Sequence, residues 1–187
     1  MKQSTAIKIA TGVAAAAIGG LFLYSRATRP PVINPAVPEP AKPVDLARYL
    51  GKWFELARHE NRFQKGLDAV TADYALEEDG RIGIANAGRQ GGAQGEHSYV
   101  EGHAIVADEA TNAKLKVSFF GPLYTGDYWV LDHGDDYEWS IVGEPSGRYV
   151  WLLHREAKPA PAVVEALLKR VEALGYDRWA LRITRQG

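Results

Sequence analysis

His97, Tyr99, Glu101 and His103 stand at alternate positions, so on an extended strand four side chains able to titrate fall on one face. Imidazole beside carboxylate is what a metal centre or an acid–base pair requires. On an extended strand all four share one face, yet at about 3.3 Å per residue His97 and His103 lie roughly 20 Å apart, and His97 and Glu101 about 13 Å. One ion cannot reach them all, and only Glu101 and His103 are close enough to share it. Ser118, Asp132 and His154 supply the residue types of a nucleophilic triad, but they are remote in sequence and no G-x-S-x-G elbow is present. Cysteine is absent, which excludes disulfides, zinc–thiolate sites, a thiol nucleophile and acylation at cysteine. The expectation is a protein without catalytic residues, metal or cofactor.

A different pairing carries more information. Gly51-Lys52-Trp53 opens the folded part of the chain and Arg155 stands near its far end. Glycine allows close backbone approach, tryptophan supplies a large apolar plug, and an arginine can lie over its face. If they meet, the first strand of a sheet meets the last and no edge is left open; eight strands then enclose room for one small ligand. Trp53→Ala is expected to destabilise such a barrel without removing a ligand contact.

The elements that would position these residues are legible as short strands separated by Gly, Asp and Asn turns: 52–60, 69–77, 81–88, 97–107, 113–120, 126–132, 137–143 and 148–155. In the second, Val70, Ala72, Tyr74 and Leu76 alternate with Thr71, Asp73, Ala75 and Glu77, and Leu115, Val117 and Phe119 repeat that period in the fifth. Asp45 can cap a short turn over 46–50. Residues 149–153, YVWLL, are apolar on both faces, so something must cover the outside. The stripe Val163, Val164, Leu167, Leu168, Val171 and Leu174, opened by Pro161 and stopped by Gly175, predicts an amphipathic helix that does so. Residues 178–184 read as a short extra strand.

The chain has 187 residues and a net charge of −1. Its first 26 residues carry Lys2, Lys8 and Arg26 with no acid, leaving 19 basic against 23 acidic residues in the remainder. A mildly acidic body without a basic patch argues against nucleic acid as a partner. Residues 9–25 are uncharged and mostly apolar, and a helix of that length spans roughly 25 Å against a hydrocarbon core of about 30 Å. Residues 1–26 are therefore read as a signal peptide or a membrane anchor formed by an apolar helix. Prolines 30, 31, 35, 38, 40 and 43 make residues 27–43 a linker; at about 3.1 Å per residue it could hold a domain on the order of 50 Å from a membrane. The folded domain is expected over 44–187.

Eight antiparallel strands, one helix and a short strand is the order found in lipocalins, and the motifs agree. Gly51-x-Trp53 is similar to the first signature of that family. Asp127-Tyr128 resembles the second, although Gly126 stands where Thr or Ser is usual, and Arg155 resembles the third. VDLARYLGKWFELARHENRF and LKVSFFGPLYTGDYWVLD resemble the bacterial, outer-membrane lipoprotein branch, which is itself apolipoprotein D-like. The resemblance implies an all-β, eight-stranded antiparallel up-and-down barrel with one C-terminal helix packed outside. It also implies binding and storage or transport of fatty acids or lysophospholipids during maintenance of the cell envelope. Many bacterial members carry a lipidated cysteine. This chain has none, so its periplasmic domain would be attached to the inner or outer membrane through the N-terminal segment.

Ligand cups are mostly apolar with a few oriented polar groups. Tyr74, Phe119, Tyr128, Trp129, Trp139 and Trp151 are candidates for lining one, and His59, Arg62 and Phe63 are expected in a long first loop over its mouth. Gly51, Trp53, Asp127, Tyr128 and Arg155 are expected to be structural. The competing readings are a lipid-ester hydrolase in the same barrel and a membrane-tethered interaction module without lipid. The sequence also leaves room for a homodimer.

Overall fold

A computed structural model describes residues 29–187; the expected signal peptide or anchor of residues 1–26 lies outside the described residues. Eight strands run β1 (Gly51–His59), β2 (Leu67–Leu76), β3 (Ile82–Gln90), β4 (Glu96–Val106), β5 (Lys114–Ser118), β6 (Gly126–His133), β7 (Trp139–Gly143) and β8 (Val150–His154). Each pairs antiparallel with the next, and β1 pairs with both β2 and β8, so the sheet closes into a barrel. Every barrel strand ends within two residues of its expected limits. The alternation sets direction: the loops at 60–66, 91–95, 119–125 and 144–149 surround one end, the mouth, and those at 77–81, 107–113 and 134–138 the other, the base.

Two apolar cores lie on either side of the wall. The inner one gathers Trp53, Tyr74, Ile82, Ile84, Ala104, Leu115, Val130, Val142 and Leu153. The outer one joins Leu56, Ala57, Leu131, Ile141, Val150 and Leu152 to the helix over Pro161–Ala173 through Leu167, Leu168 and Val171. This explains the doubly apolar 149–153 stretch: Trp151 and Leu153 face inward, Val150 and Leu152 face the helix. Burying those three helical side chains contributes about 5–9 kcal/mol, an upper bound on an extended-chain reference. Gly175, at φ +94, turns the chain out of the helix where a Cβ would come within 3.1 Å of the Asn34 side chain.

Two segments depart from expectation. The proline-rich stretch does not stand off as a spacer over residues 33–41. Ile33 and Val37 pack on the outer core, Ile33 and Asn34 donate to the Gly147 carbonyl at 2.9 and 3.1 Å, and the Asn34 side chain donates to Leu174 at 2.9 Å. Proline favours an extended chain but does not prevent two apolar side chains from docking. At the other terminus, β9 is only Leu181–Ile183, preceded by a 3₁₀ turn at Arg178–Ala180. It pairs with β1 above the point where β1 and β2 stop pairing at Phe54 and Thr71. The following residues fill that gap: Thr184 donates to Leu56, Ala69 donates to Arg185, and the Gln186 amide bridges the Glu55 and Val70 carbonyls.

Candidate functional site

The base of the barrel is sealed by a turn of helix, Leu46–Tyr49, whose first amides at Ala47 and Arg48 are capped by Asp45 at 3.0 and 3.3 Å. Trp53 is fully buried, and its indole N–H donates to the Tyr49 carbonyl at 2.9 Å. Arg155 lies over the Trp53 ring, 3.7 Å from the centroid. Its guanidinium donates to the carbonyls of Lys52, Arg48, Tyr49, Leu50 and Tyr137 at 2.8–3.2 Å. One cation therefore ties the capping turn, the start of β1 and the β6–β7 loop together. Gly51 takes φ +87 beneath it.

Directly above this plug, hydroxyls form a chain. Ser140 and Tyr49 are 3.0 Å apart, Tyr49 and Tyr128 2.8 Å, and Tyr128 and Tyr74 3.0 Å. Burial pushes the Tyr49 hydroxyl up to about 12 and raises Tyr74 and Tyr128 further, so the chain stays neutral and its members serve as donors and acceptors. The space left beside them, bounded by Leu46, Leu50, Ile82, Ile84, Ala104, Leu115 and Val117, is about 10 Å³. That is room for one water, so the floor is packed and a larger guest must lie above it.

Above the floor, Ala72, Asn86, Val117, Phe119, Tyr128 and Trp151 are only partly buried although the register turns them inward, and Val100 is 37% exposed. Their accessible surface opens into the barrel. One polar belt crosses this wall. Arg58, fully buried, donates to Glu55 at 2.6 Å and to the Gln64 carbonyl at 2.6 Å. The Gln64 amide donates to Glu55 at 2.9 Å and accepts from the Trp151 indole at 2.7 Å, while the Thr184 hydroxyl bonds Glu55. The Asn86 amide oxygen is buried with no partner among the described residues.

The expected lining residues divide three ways. Tyr74, Phe119, Tyr128 and Trp151 face the cup. Arg62 and Phe63 stand on the mouth loop, the guanidinium 4.7 Å from the ring centroid and Phe63 exposed. Trp129, Trp139 and His59 do not line the cup. The two tryptophans pack into the outer core, Trp129 under Lys114 at 4.2 Å, because a strand cannot turn Tyr128 and its neighbour to the same side. His59 is the last residue of β1 rather than a loop residue, and its Nδ1 donates to the Arg148 carbonyl at 2.5 Å. His97, Tyr99, Glu101 and His103 lie on the outside of β4, where Tyr99 donates to Glu101 at 2.8 Å and His103 pairs with Glu77 at 3.1 Å.

Sequence reasoning passed over Tyr49, Glu55, Arg58, Gln64 and Asn86. Two charges three residues apart in an apolar strand were the available signal for Glu55 and Arg58. A bulge between Glu55 and Ala57 shifts the alternation and brings both inward. The departure at Gly126 is also local in origin: a Cβ there would come within 2.6 Å of Val117.

Comparison with known proteins agrees with this geometry. The lipocalin-like domain family matches residues 44–186. The chain is 37% identical over 145 residues to the outer membrane lipoprotein Blc of Vibrio cholerae, covering 75% of this chain and 84% of the relative. It is 30% identical over 148 residues to apolipoprotein D of Cavia porcellus, covering 79% and 71%. The crystal structure of the cockroach allergen Per a 4 superposes with a TM-score of 0.61 at 17% identity, covering 82% of this chain and 96% of the other, and bears on the fold alone. Barrel, external helix, the Trp53–Arg155 closure and these relatives agree: the chain belongs to the lipocalin family.

Proposed function

We propose that the chain binds fatty acids or lysophospholipids in the cup of its barrel and stores or carries them in the bacterial cell envelope, for membrane maintenance. The observation that carries this reading is the partly accessible inner wall above a closed floor. Phe119, Trp151, Val100 and Val117 offer apolar surface to an acyl chain whose far end points toward the Tyr128 floor, and the Gln64–Trp151 pair near the mouth supplies polar contacts nearer the glycerol or carboxyl end. Arg62 and Phe63 would meet the headgroup at the rim. The relatives named as outer membrane lipoproteins support an envelope location. With no cysteine to carry a lipid, attachment to the inner or outer membrane falls to the N-terminal segment.

Native mass spectrometry of the full chain purified from an envelope fraction tests this reading. A complex heavier than the protein by the mass of a fatty acid or lysophospholipid is expected. Protein that carries no lipid and takes none up on incubation with either class would refute it, and release of free fatty acid from an added lysophospholipid would favour the hydrolase.

A further inference from the structure

We propose that the mouth of the barrel is a docking surface for a lipid bilayer bearing anionic headgroups. This goes beyond ligand binding in the cup and does not depend on which lipid the cup holds. Among the described residues the five most exposed large apolar side chains are Phe120 and Trp179 (83% each), Leu123 (70%), Leu76 (65%) and Phe63 (62%). Four of them stand at the mouth. Phe63 is on the β1–β2 loop, Phe120 and Leu123 are on the β5–β6 loop across the barrel, and Trp179 precedes β9 where Leu181 pairs with His59 at the top of β1. Large apolar groups held in water around one opening are an interaction surface rather than a core, and a tryptophan beside an arginine is suited to the headgroup level; Arg178 lies 5.0 Å from the Trp179 ring centroid.

Charge selects the partner. The four mouth loops hold Arg62, Lys65 and Arg148 against Glu60 and Glu144, a net +1. The three base loops hold Glu77, Glu78, Asp79, Asp108, Glu109, Asp135, Asp136 and Glu138 against Arg81, and the segments 42–50 and 155–158 that close the same end add Lys42, Arg48, Arg155 and Lys158 against Asp45 and Glu156, so the base is a net −5. An anionic bilayer attracts the first end and repels the second, so the field orients the barrel mouth-down before any apolar side chain inserts. A protein partner or a second copy would not require that axial asymmetry.

The absence of cysteine makes a site-specific probe straightforward. Thr125→Cys at the mouth and Glu109→Cys at the base, each in the full chain and labelled with an environment-sensitive fluorophore, are compared on phosphatidylcholine vesicles with and without 30% phosphatidylglycerol (about that fraction giving a strongly negative surface). On the anionic vesicles the mouth label is expected to shift to the blue and to be quenched at least threefold by nitroxide-bearing lipid, with the base label unchanged. High salt and a Phe120→Ser/Leu123→Ser background should each remove most of that response. The base label rules out a signal that comes merely from the N-terminal segment holding the chain on the vesicle. A mouth label that stays in water on anionic vesicles overturns the proposal, as does one equally protected without vesicles, which would assign the patch to a second copy. Uptake of fatty acid by the double variant, read separately, keeps failure of docking distinct from failure of the cup.

Discussion

Arg155→Lys keeps the positive charge at the base of the barrel and removes its shape. The arginine spreads its donors over five carbonyls from three segments and lays a flat cation 3.7 Å from the Trp53 centroid. A lysine ammonium is a point with three donors and cannot span those segments. Net hydrogen bonds to a charged group contribute about 1.5–3 kcal/mol each in favourable cases, and they are not additive here because Nη2 is shared among three carbonyls. If lysine retains two contacts and the shielded cation–π contact of ~2 kcal/mol is weakened, the expected loss is about 3 kcal/mol. For a domain of this size that corresponds to a fall in Tm of about 6–12 °C. Scanning calorimetry reads the fall, and titration with a fluorescent fatty acid should give a Kd within twofold of the parent. A double-mutant cycle with Trp53→Phe isolates the ring contact, with a coupling of about 1 kcal/mol expected. Unchanged Tm with a tenfold weaker Kd would put the pair in the binding site and not in the plug.

Trp53→Ala empties the fully buried plug and should cost about 3–5 kcal/mol, read by urea unfolding, again without direct loss of a ligand contact. Trp151→Ala should weaken fatty-acid binding at least fivefold, while Trp139→Ala, on the outer wall, should leave Kd within twofold and lower Tm instead. The tail that completes the barrel is clamped at Asp68. Burial pushes that carboxyl up, but hydrogen bonds from the Arg185 side chain and backbone, with the charge of Arg182, outweigh it and hold the carboxyl below its ordinary 3.8. Stability from the clamp is therefore fully present above the unfolded pKa and is lost as pH falls through the lower folded value. Tm measured from pH 6 to pH 2 should drop less steeply in the acid limb for Asp68→Asn than for the parent, and identical limbs would remove Asp68 from the account.

The barrel was legible because its signals are local. Period-2 alternation in β2 and β5 and turn residues at each hairpin locate strands without knowledge of neighbours, and the stripe from Val163 to Leu174 finds its helix the same way. Side-chain direction was less legible. Trp129 and Trp139 are as apolar and aromatic as Trp151, and only the register of β6, β7 and β8 shows that they cover the outside. Glu55 and Arg58 were hidden by a bulge that sequence periodicity does not reveal. The strap at Ile33 and Val37 was hidden for another reason: two apolar residues among prolines have no period, and their docking depends on a groove built by residues more than a hundred positions later.

The proposed guest occupies the inside of the barrel above the tyrosine floor. A photoactivatable fatty acid carrying a diazirine along its chain, irradiated with the full-length protein and mapped by peptide mass spectrometry, tests it most directly. Adducts are expected on inward residues such as Phe119, Tyr128 and Trp151, suppressed by excess lysophospholipid, with none on Trp129 or Trp139. Labelling concentrated on the outer tryptophans, or labelling of the inner wall that no lipid displaces, would contradict it.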